Sequence, residues 1–509
     1  MERKKSRSAA KRDCNDGSRR GFLKTGLNVV GASVAAGPLL AGVSDPSSRS
    51  DAQVRERIER QGHDPRGRIL IKGATIISMD PQVGDFLKGD LLIEGKKIKE
   101  VAKEIKATAE VLDATGCILI PGFVDTHRHP FGRFWLVEGL SPQAYNPRPG
   151  PSAMSVLNSK VQPEDVYASA LVSGLTCIKS GITCMMDWSG NSPTPEHADS
   201  EIQGLLDSGV RGVFGYGVPA TESSYLPTDV DRIQKKYFSS NDQLATLYLA
   251  MNIRSPEEQT AGKIKFARER GLRITIDGND FPVEGETIQR LGKTGIFGSD
   301  ITFVHCNDIG DAAWKVIADA GATVSIAAFS EPLIGISTGF PAIQKALGLG
   351  IRPSLSADVF QFTDFFTIMR MALCFQRQAA FLRAYGGDKN APAPISLREV
   401  LDFSTVQGAK ANGLLSKTGT LAPGKEADLV LVRADDINTV SVPNALSAVL
   451  LSGDTSNVDT VFIAGRLRKF RGQLVGADAN RAVRLYQQSC EKIYARAGYT
   501  HDFLHEPTN

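Results

Sequence analysis

The stretch Pro121-Gly122-Phe123-Val124-Asp125-Thr126-His127-Arg128-His129 combines a Pro-Gly break, a short apolar strand and two histidines one residue apart. In a strand, residues i and i+2 share a face. His127 and His129 can therefore bind one ion while Arg128 points away. An H-x-H on its own is more often two ordinary histidines than a metal site. Here the pair ends a strand, and the whole chain has only seven histidines.

Outward from this stretch, apolar runs recur with helical stretches between them. They are Phe123-Val124, Ile182 to Met186, Val213-Phe214, Leu247 to Met251, Ile274-Thr275-Ile276, Thr302-Phe303-Val304, Thr323 to Ile326 and Pro353-Ser354-Leu355. Eight such runs predict a TIM-type (β/α)8 barrel over residues 121–418. An open doubly wound sheet would carry a Gly-rich phosphate turn after an early strand, and no G-x-G-x-x-G occurs. Barrel active sites lie at the C-terminal ends of the strands. Asp277 and Asp280 follow the fifth run, His305 the sixth and Asp358 the eighth. Each alone has an ordinary explanation, a helix cap or a satisfied core histidine. Their recurrence at successive strand ends argues for one site.

The flanks of the barrel read as strands at both ends. Ile69-Leu70-Ile71, Thr75-Ile76-Ile77, Leu91-Leu92-Ile93 and Val111-Leu112-Asp113 precede it; Asp428 to Val432 and Val458 to Ile463 follow it. They predict a small composite β-sandwich domain from residues 68–120 and 419–476, with a C-terminal helix and tail over 477–509. The polar stretch 42–67 reads as a linker.

At the N-terminus, Ser18-Arg19-Arg20-Gly21-Phe22-Leu23-Lys24 precedes a run from Leu27 to Ala41 rich in Gly, Ala and Ser. This predicts a twin-arginine signal peptide over residues 1–41, hence a partnership with the translocation machinery and a periplasmic or otherwise exported protein. The run is too weakly apolar for a membrane anchor, which needs about 20 strongly apolar residues. Of 59 basic and 56 acidic residues, nine and three fall within 1–41, leaving 50 against 53. That balance predicts no nucleic-acid partner. Seven cysteines without regular spacing predict free thiols. A homo-oligomer is left open.

The segment Pro121 to His129 resembles the P-G-[FL]-[VI]-[DN]-x-H-x-H signature of the amidohydrolase superfamily. Gly419 to Val430 resembles that superfamily's G-x-[LI]-x-x-G-x-x-A-D-[LF] segment. Gly181 to Asp187, Ser208-Gly209-Val210-Arg211 and Leu355-Ser356-Ala357-Asp358 point to the branch of cytosine and guanine deaminases and triazine (atrazine-type) chlorohydrolases. The resemblance implies one divalent ion, Zn2+ or Fe2+, held by His127, His129, a fifth-strand ligand and Asp358. It implies a substrate- or water-contacting role for His305. The fifth-strand motif of that branch is H-x-x-E, and this chain has Asp277-Gly278-Asn279-Asp280 there. Asp277 then stands in for a ligating imidazole, and Asp280 for a glutamate proton shuttle, one methylene shorter. Ser325 to Glu331 also departs from the branch and implies altered substrate choice.

The reaction so implied is metal-assisted hydrolysis at an sp2 carbon of a small nitrogen heterocycle or cyclic amide, with His305, Asp358 and Asp280 as catalytic residues. An amidase acting on a peptide-like or acylated amide is the alternative, and a metal-poor binding protein a third. Two aromatic groups, Phe131-Phe134-Trp135 and Phe360-Phe362-Phe365-Phe366, either line a flat pocket or pack helices onto the barrel.

Overall fold

Eight parallel strands lie in the order of the chain: Phe123–Arg128, Ile182–Ser189, Arg211–Gly217, Ala245–Asn252, Arg273–Asn279, Ile301–His305, Thr323–Ile326 and Ser354–Leu355. They occur at the eight predicted apolar runs, with helices between them, and form the (β/α)8 barrel. This computed structural model describes residues 46–131, 153–190, 192–217, 226–253, 256–337, 339–359 and 364–498. The predicted signal peptide lies outside them.

The barrel closes between its last and first strands. Asp358 N donates to His127 O at 2.9 Å, and His129 N donates to Asp358 O at 3.3 Å. The Thr126 hydroxyl bridges the same seam, 2.7 Å from Ser325 Oγ and 3.0 Å from Ser354 Oγ. Gly122 is required at the entry to the first strand. A Cβ there would lie 2.1 Å from Thr183 Oγ1. Gly209, at φ 74°, ends the helix Pro195–Ser208 and turns the chain straight into the third strand. That is the left-handed helix stop glycine favours.

A second sheet of nine strands is built from both flanks of the barrel. Cys117–Pro121 pairs in parallel with Arg68–Ile77 and antiparallel with Leu429–Arg433, joining the two chain ends. Residues of both halves, among them Ile69, Leu119, Leu429 and Phe462, share one buried apolar cluster. The composite domain thus forms as expected, as one continuous mixed sheet.

The stretch read as a linker is different. Pro46–His63 is an α-helix, and from Asp51 onward it belongs to the same compact unit as the rest of the described chain. Its sequence is polar, but Ile58 is fully buried among the sheet residues and Val54 packs beside it. Arg55–Glu59 and Glu56–Arg60 are i,i+4 pairs on the helix surface. Two apolar anchors one turn apart suffice once a sheet is there to receive them.

At the N-terminal end of the barrel, Arg211 ties barrel to sheet. Its Nε and Nη2 donate to Asp428 Oδ2 and Oδ1 at 2.7 and 2.8 Å, and Nη2 also reaches Glu426 Oε2 at 2.6 Å. Asp428 Oδ1 accepts a further bond from Ala464 N at 2.7 Å. The arginine of Ser208-Gly209-Val210-Arg211 and the aspartate of the Ala427-Asp428 segment therefore serve one buried staple. Among the described residues no helix is long and apolar enough to cross a membrane.

Candidate active site

The C-terminal mouth of the barrel gathers side chains from the first, fifth, sixth and eighth strands. His127 and His129 stand together, ring centroids 4.7 Å apart and nearly perpendicular. Arg128 between them turns away, and its Nε donates to Asp125 Oδ2 at 2.7 Å. Asp125 Oδ1 in turn accepts from Ala357 N at 3.0 Å, fixing the chain just before Asp358. His305 and Asp358 both hold left-handed backbone, at φ 66° and 62°. Such strain in a residue with a side chain costs on the order of 1–3 kcal/mol and concentrates at functional sites.

The donor atoms converge. His127 Nε2 lies 3.4 Å from Asp358 Oδ1 and 3.8 Å from Asp277 Oδ2. His129 Nε2 lies 3.7 Å from Asp358 Oδ1 and 3.8 Å from Asp277 Oδ2. His305 Nε2 lies 3.4 Å from Asp277 Oδ1 and 3.9 Å from Asp358 Oδ2. Two overlapping groups, His127-Asp277-His305 and His127-His129-Asp358, each place their ligand atoms within 4.8 Å of one another.

These residues fit a metal ion. Neither ring nitrogen of the buried His127 makes a hydrogen bond among the described residues. Ligands about 2.1 Å from a tetrahedral ion stand about 3.4 Å from each other, close to the spacings found here. His129 Nδ1 can only donate to the Trp188 carbonyl oxygen, 3.2 Å away, which leaves the Nε2 lone pair for a cation.

Electrostatics agree with this. Burial pushes the Asp277 carboxyl up, but the imidazoles of His127, His305 and His129 outweigh it and hold the group below its ordinary value. Asp358 is likewise raised by burial, yet the close approach of His127 and the charge of His305 pull it far below the usual carboxylate range. Burial and the neighbouring His127 push His129 down to about 4. Ionised carboxylates and a neutral imidazole are the ligand forms a divalent ion requires. His305 is held well above its ordinary value: burial opposes its protonation, but Glu331, Asp358, Asp280 and Asp277 overcome that. The carboxylates that attract a proton there attract a cation for the same reason.

The structure thus brings together His127, His129, Asp277, His305 and Asp358. Asp280 is buried next to them, its charge acting on His305 and Cys306, but it is not one of the converging donors. Sequence reasoning tied Ser325 to Glu331 to substrate choice, but missed that Ser330 and Glu331 bond members of the cluster. The Ser330 hydroxyl bonds Asp358 Oδ2, and Glu331 Oε1 accepts from His305 Nδ1 at 3.0 Å. The signal for them was a Ser-Glu pair one short turn after a barrel strand, where a solvated helix start is the ordinary expectation.

Of the aromatic groups, Phe365 and Phe366 pack helix onto barrel, their rings 5.7 and 5.3 Å from Phe123. Phe131 is buried with its ring 5.8 Å from that of His129. Phe134, Trp135, Phe360 and Phe362 lie outside the described residues. The six described cysteines are free thiols, as their spacing predicts.

Comparison with known proteins follows the same lines. Residues 118–468 match the model of the amidohydrolase family. The chain is 25% identical over 451 residues to a 5'-deoxyadenosine deaminase of Methanosarcina mazei, covering 84% of this chain and 99% of that protein. It is 26% identical over 428 residues to a 5-methylthioadenosine/S-adenosylhomocysteine deaminase of Pyrococcus furiosus, covering 80% and 96%. Among solved structures, a zinc-bound adenosine deaminase from Xanthomonas campestris superposes with a TM-score of 0.70 at 18% identity, covering 84% of this chain and 98% of that one. The zinc-bound atrazine chlorohydrolase of Arthrobacter aurescens gives 0.70 at 19% identity, covering 83% and 100%. At those identities the two structures speak for the fold alone. Family match, fold and convergent donor set together make this chain a member of the amidohydrolase family, a metal-dependent hydrolase of carbon–nitrogen bonds other than peptide bonds.

Proposed function

We propose that the protein is a hydrolytic deaminase of a small aminated nitrogen heterocycle, with 6-aminopurine nucleosides as the first substrate class to test. The observation that carries this is the convergence of three imidazole Nε2 atoms and two ionised carboxylates on one point at the barrel mouth. The names of the full-length relatives, all deaminases of adenosine-type compounds, supply the substrate class.

His127, His129, Asp277 and Asp358 would hold one ion, Zn2+ or Fe2+, which when bound supplies Lewis acidity toward water and the carbon under attack. Asp358 is positioned to take a proton from the attacking water. It stays ionised across the neutral range because the imidazoles around it favour its charged form. His305 faces the same point and donates to charge that develops on the substrate. Asp280, buried at its side, returns the proton to the departing nitrogen. Water adds, the carbon–nitrogen bond breaks and ammonia leaves.

Incubation of the metal-loaded protein with adenosine, 5'-deoxyadenosine and 5'-methylthioadenosine, followed by ammonia and the matching 6-oxopurine, tests this. Ammonia release in step with the oxopurine is the expected result. No ammonia from any of them, with hydrolysis of acylated amides instead, would move the protein to the amidase reading.

Export through the twin-arginine pathway belongs to the same proposal. It rests on Arg19-Arg20 and the weakly apolar run behind them. Replacing both arginines with lysine should leave the precursor in the cytoplasm; normal export of that variant would remove this part.

A further inference from the structure

Ser330 and Glu331 open the short helix Ser330–Ile334 behind the seventh barrel strand, and each bonds a different residue of the converging cluster. Both are fully buried. Glu331 is itself anchored twice to the turn it starts: its Oε1 accepts from Ala327 N at 2.8 Å, and its own N donates to Ala327 O at 3.0 Å. The residues they reach, His305 and Asp358, are the two members of the cluster with left-handed backbone, so their side-chain directions depend on such outside contacts.

We propose that Ser330 and Glu331 are a paired positioning device that selects which atoms of His305 and Asp358 face the ion. The proposal rests on the metal-dependent reading above. A carboxylate only accepts, so Glu331 requires the hydrogen of His305 on Nδ1 and turns Nε2 toward Asp277 Oδ1 at 3.4 Å. The Ser330 hydroxyl occupies Asp358 Oδ2, which leaves Oδ1 turned to His127 at 3.4 Å and His129 at 3.7 Å. One dipeptide therefore sets the donor atom of one residue on the sixth strand and another beyond the eighth. His305 Nε2 is thereby held facing the point on which the other donors converge.

The test uses full-length protein loaded with Co2+, whose visible absorption reports the ligand field, with Co2+ affinity measured by chelator competition. Glu331→Met keeps the volume and removes the acceptor; Glu331→Gln keeps a carbonyl oxygen that still accepts from Nδ1; Ser330→Ala removes the donor to Asp358. Glu331→Met and Ser330→Ala should each weaken Co2+ binding by roughly 10- to 100-fold and change the visible band. Glu331→Gln should stay close to wild type in both. A packing role alone would lower the unfolding temperature of the metal-free variants and leave affinity and band unmoved, which would overturn the proposal. Equal losses in Glu331→Gln and Glu331→Met would overturn it too, since acceptance at Nδ1 would then not be what matters. Failure of the wild-type protein to take up one equivalent of Co2+ would instead strike the metal-dependent reading itself.

Discussion

The two ends of the barrel hold buried charge in opposite ways. At the N-terminal end Arg211 meets Asp428 and Glu426 at 2.6–2.8 Å, and both oxygens of Asp428 are bonded. At the mouth, three imidazoles and two carboxylates face one another at 3.4–3.9 Å, too far apart for good hydrogen bonds. A buried group that has found its partner is part of the scaffold. Buried groups held just out of mutual reach leave room for something else, and their spacing states its size and charge. Both clusters are made of residues singled out in the sequence, so only geometry separates staple from site.

The sharpest test of this contrast removes the first-strand pair. The double variant His127→Ala, His129→Ala should lose stoichiometric metal and all hydrolysis, while the metal-free protein unfolds no more easily than metal-free wild type. Elemental analysis and thermal unfolding, run side by side, check both halves. Retained metal would break the assignment of the mouth.

Asp277→Ala comes next. If this carboxylate holds the ion, metal affinity should fall by orders of magnitude, whereas removing a merely solvated strand-end aspartate changes stability within about 0.5 kcal/mol and affinity not at all. Metal titration of both proteins decides between them. Asp277→His should retain the metal.

The floor should answer in a different currency. Asp428→Ala leaves Arg211 buried without its main partner and should cost about 3–5 kcal/mol of stability, read by denaturant unfolding. Metal stoichiometry of the protein that remains folded should not change. A variant that folded normally but lost its metal would erase the distinction between the two ends.

The smallest effect is a pH dependence confined to the mouth. His129 titrates near 4 in the folded, metal-free protein because burial and His127 oppose its protonation, against 6.5 for an unperturbed histidine. Between those values the unfolded chain binds a proton that the folded chain does not. The contribution of His129 is therefore fully favourable above about pH 6.5 and is lost as pH falls toward 4. The stability difference between metal-free wild type and His129→Ala should shift against wild type across that window, by up to about 3 kcal/mol. A flat difference would show that His129 titrates normally.

Much of this was legible beforehand, for identifiable reasons. The eight barrel strands are apolar runs buried on both faces, such as Ile274-Thr275-Ile276, and such runs stand out against amphipathic helices. His127, His129, Asp277, His305 and Asp358, whose side chains the fold brings together, could be grouped beforehand because a barrel confines its site to one end of every strand. What stayed hidden depends on contacts that no local pattern carries. Of the helix residues Asp51–His63 only Ile58 is buried, so the sequence looks like a tether until the sheet that receives Ile58 is in place. Ser330 and Glu331 look like the start of a solvated helix, and only the fold turns them inward. The charged pair Arg211 and Asp428 lies far apart in sequence, and its staple appears only when barrel and sheet meet.

The seam of the barrel gives the site a place in the order of assembly. Where the first strand meets the last, Asp358 N donates to His127 O and His129 N donates to Asp358 O, and the same three residues bring their side chains to the donor cluster. The ligand set is therefore incomplete until the chain has emerged past the eighth strand and the ring has shut. An ion that binds only the closed ring stabilises closure by mass action, in proportion to the logarithm of its concentration over its dissociation constant. A metal bound there would thus be a clasp as well as a reagent, fastened last and holding shut the joint that created its site.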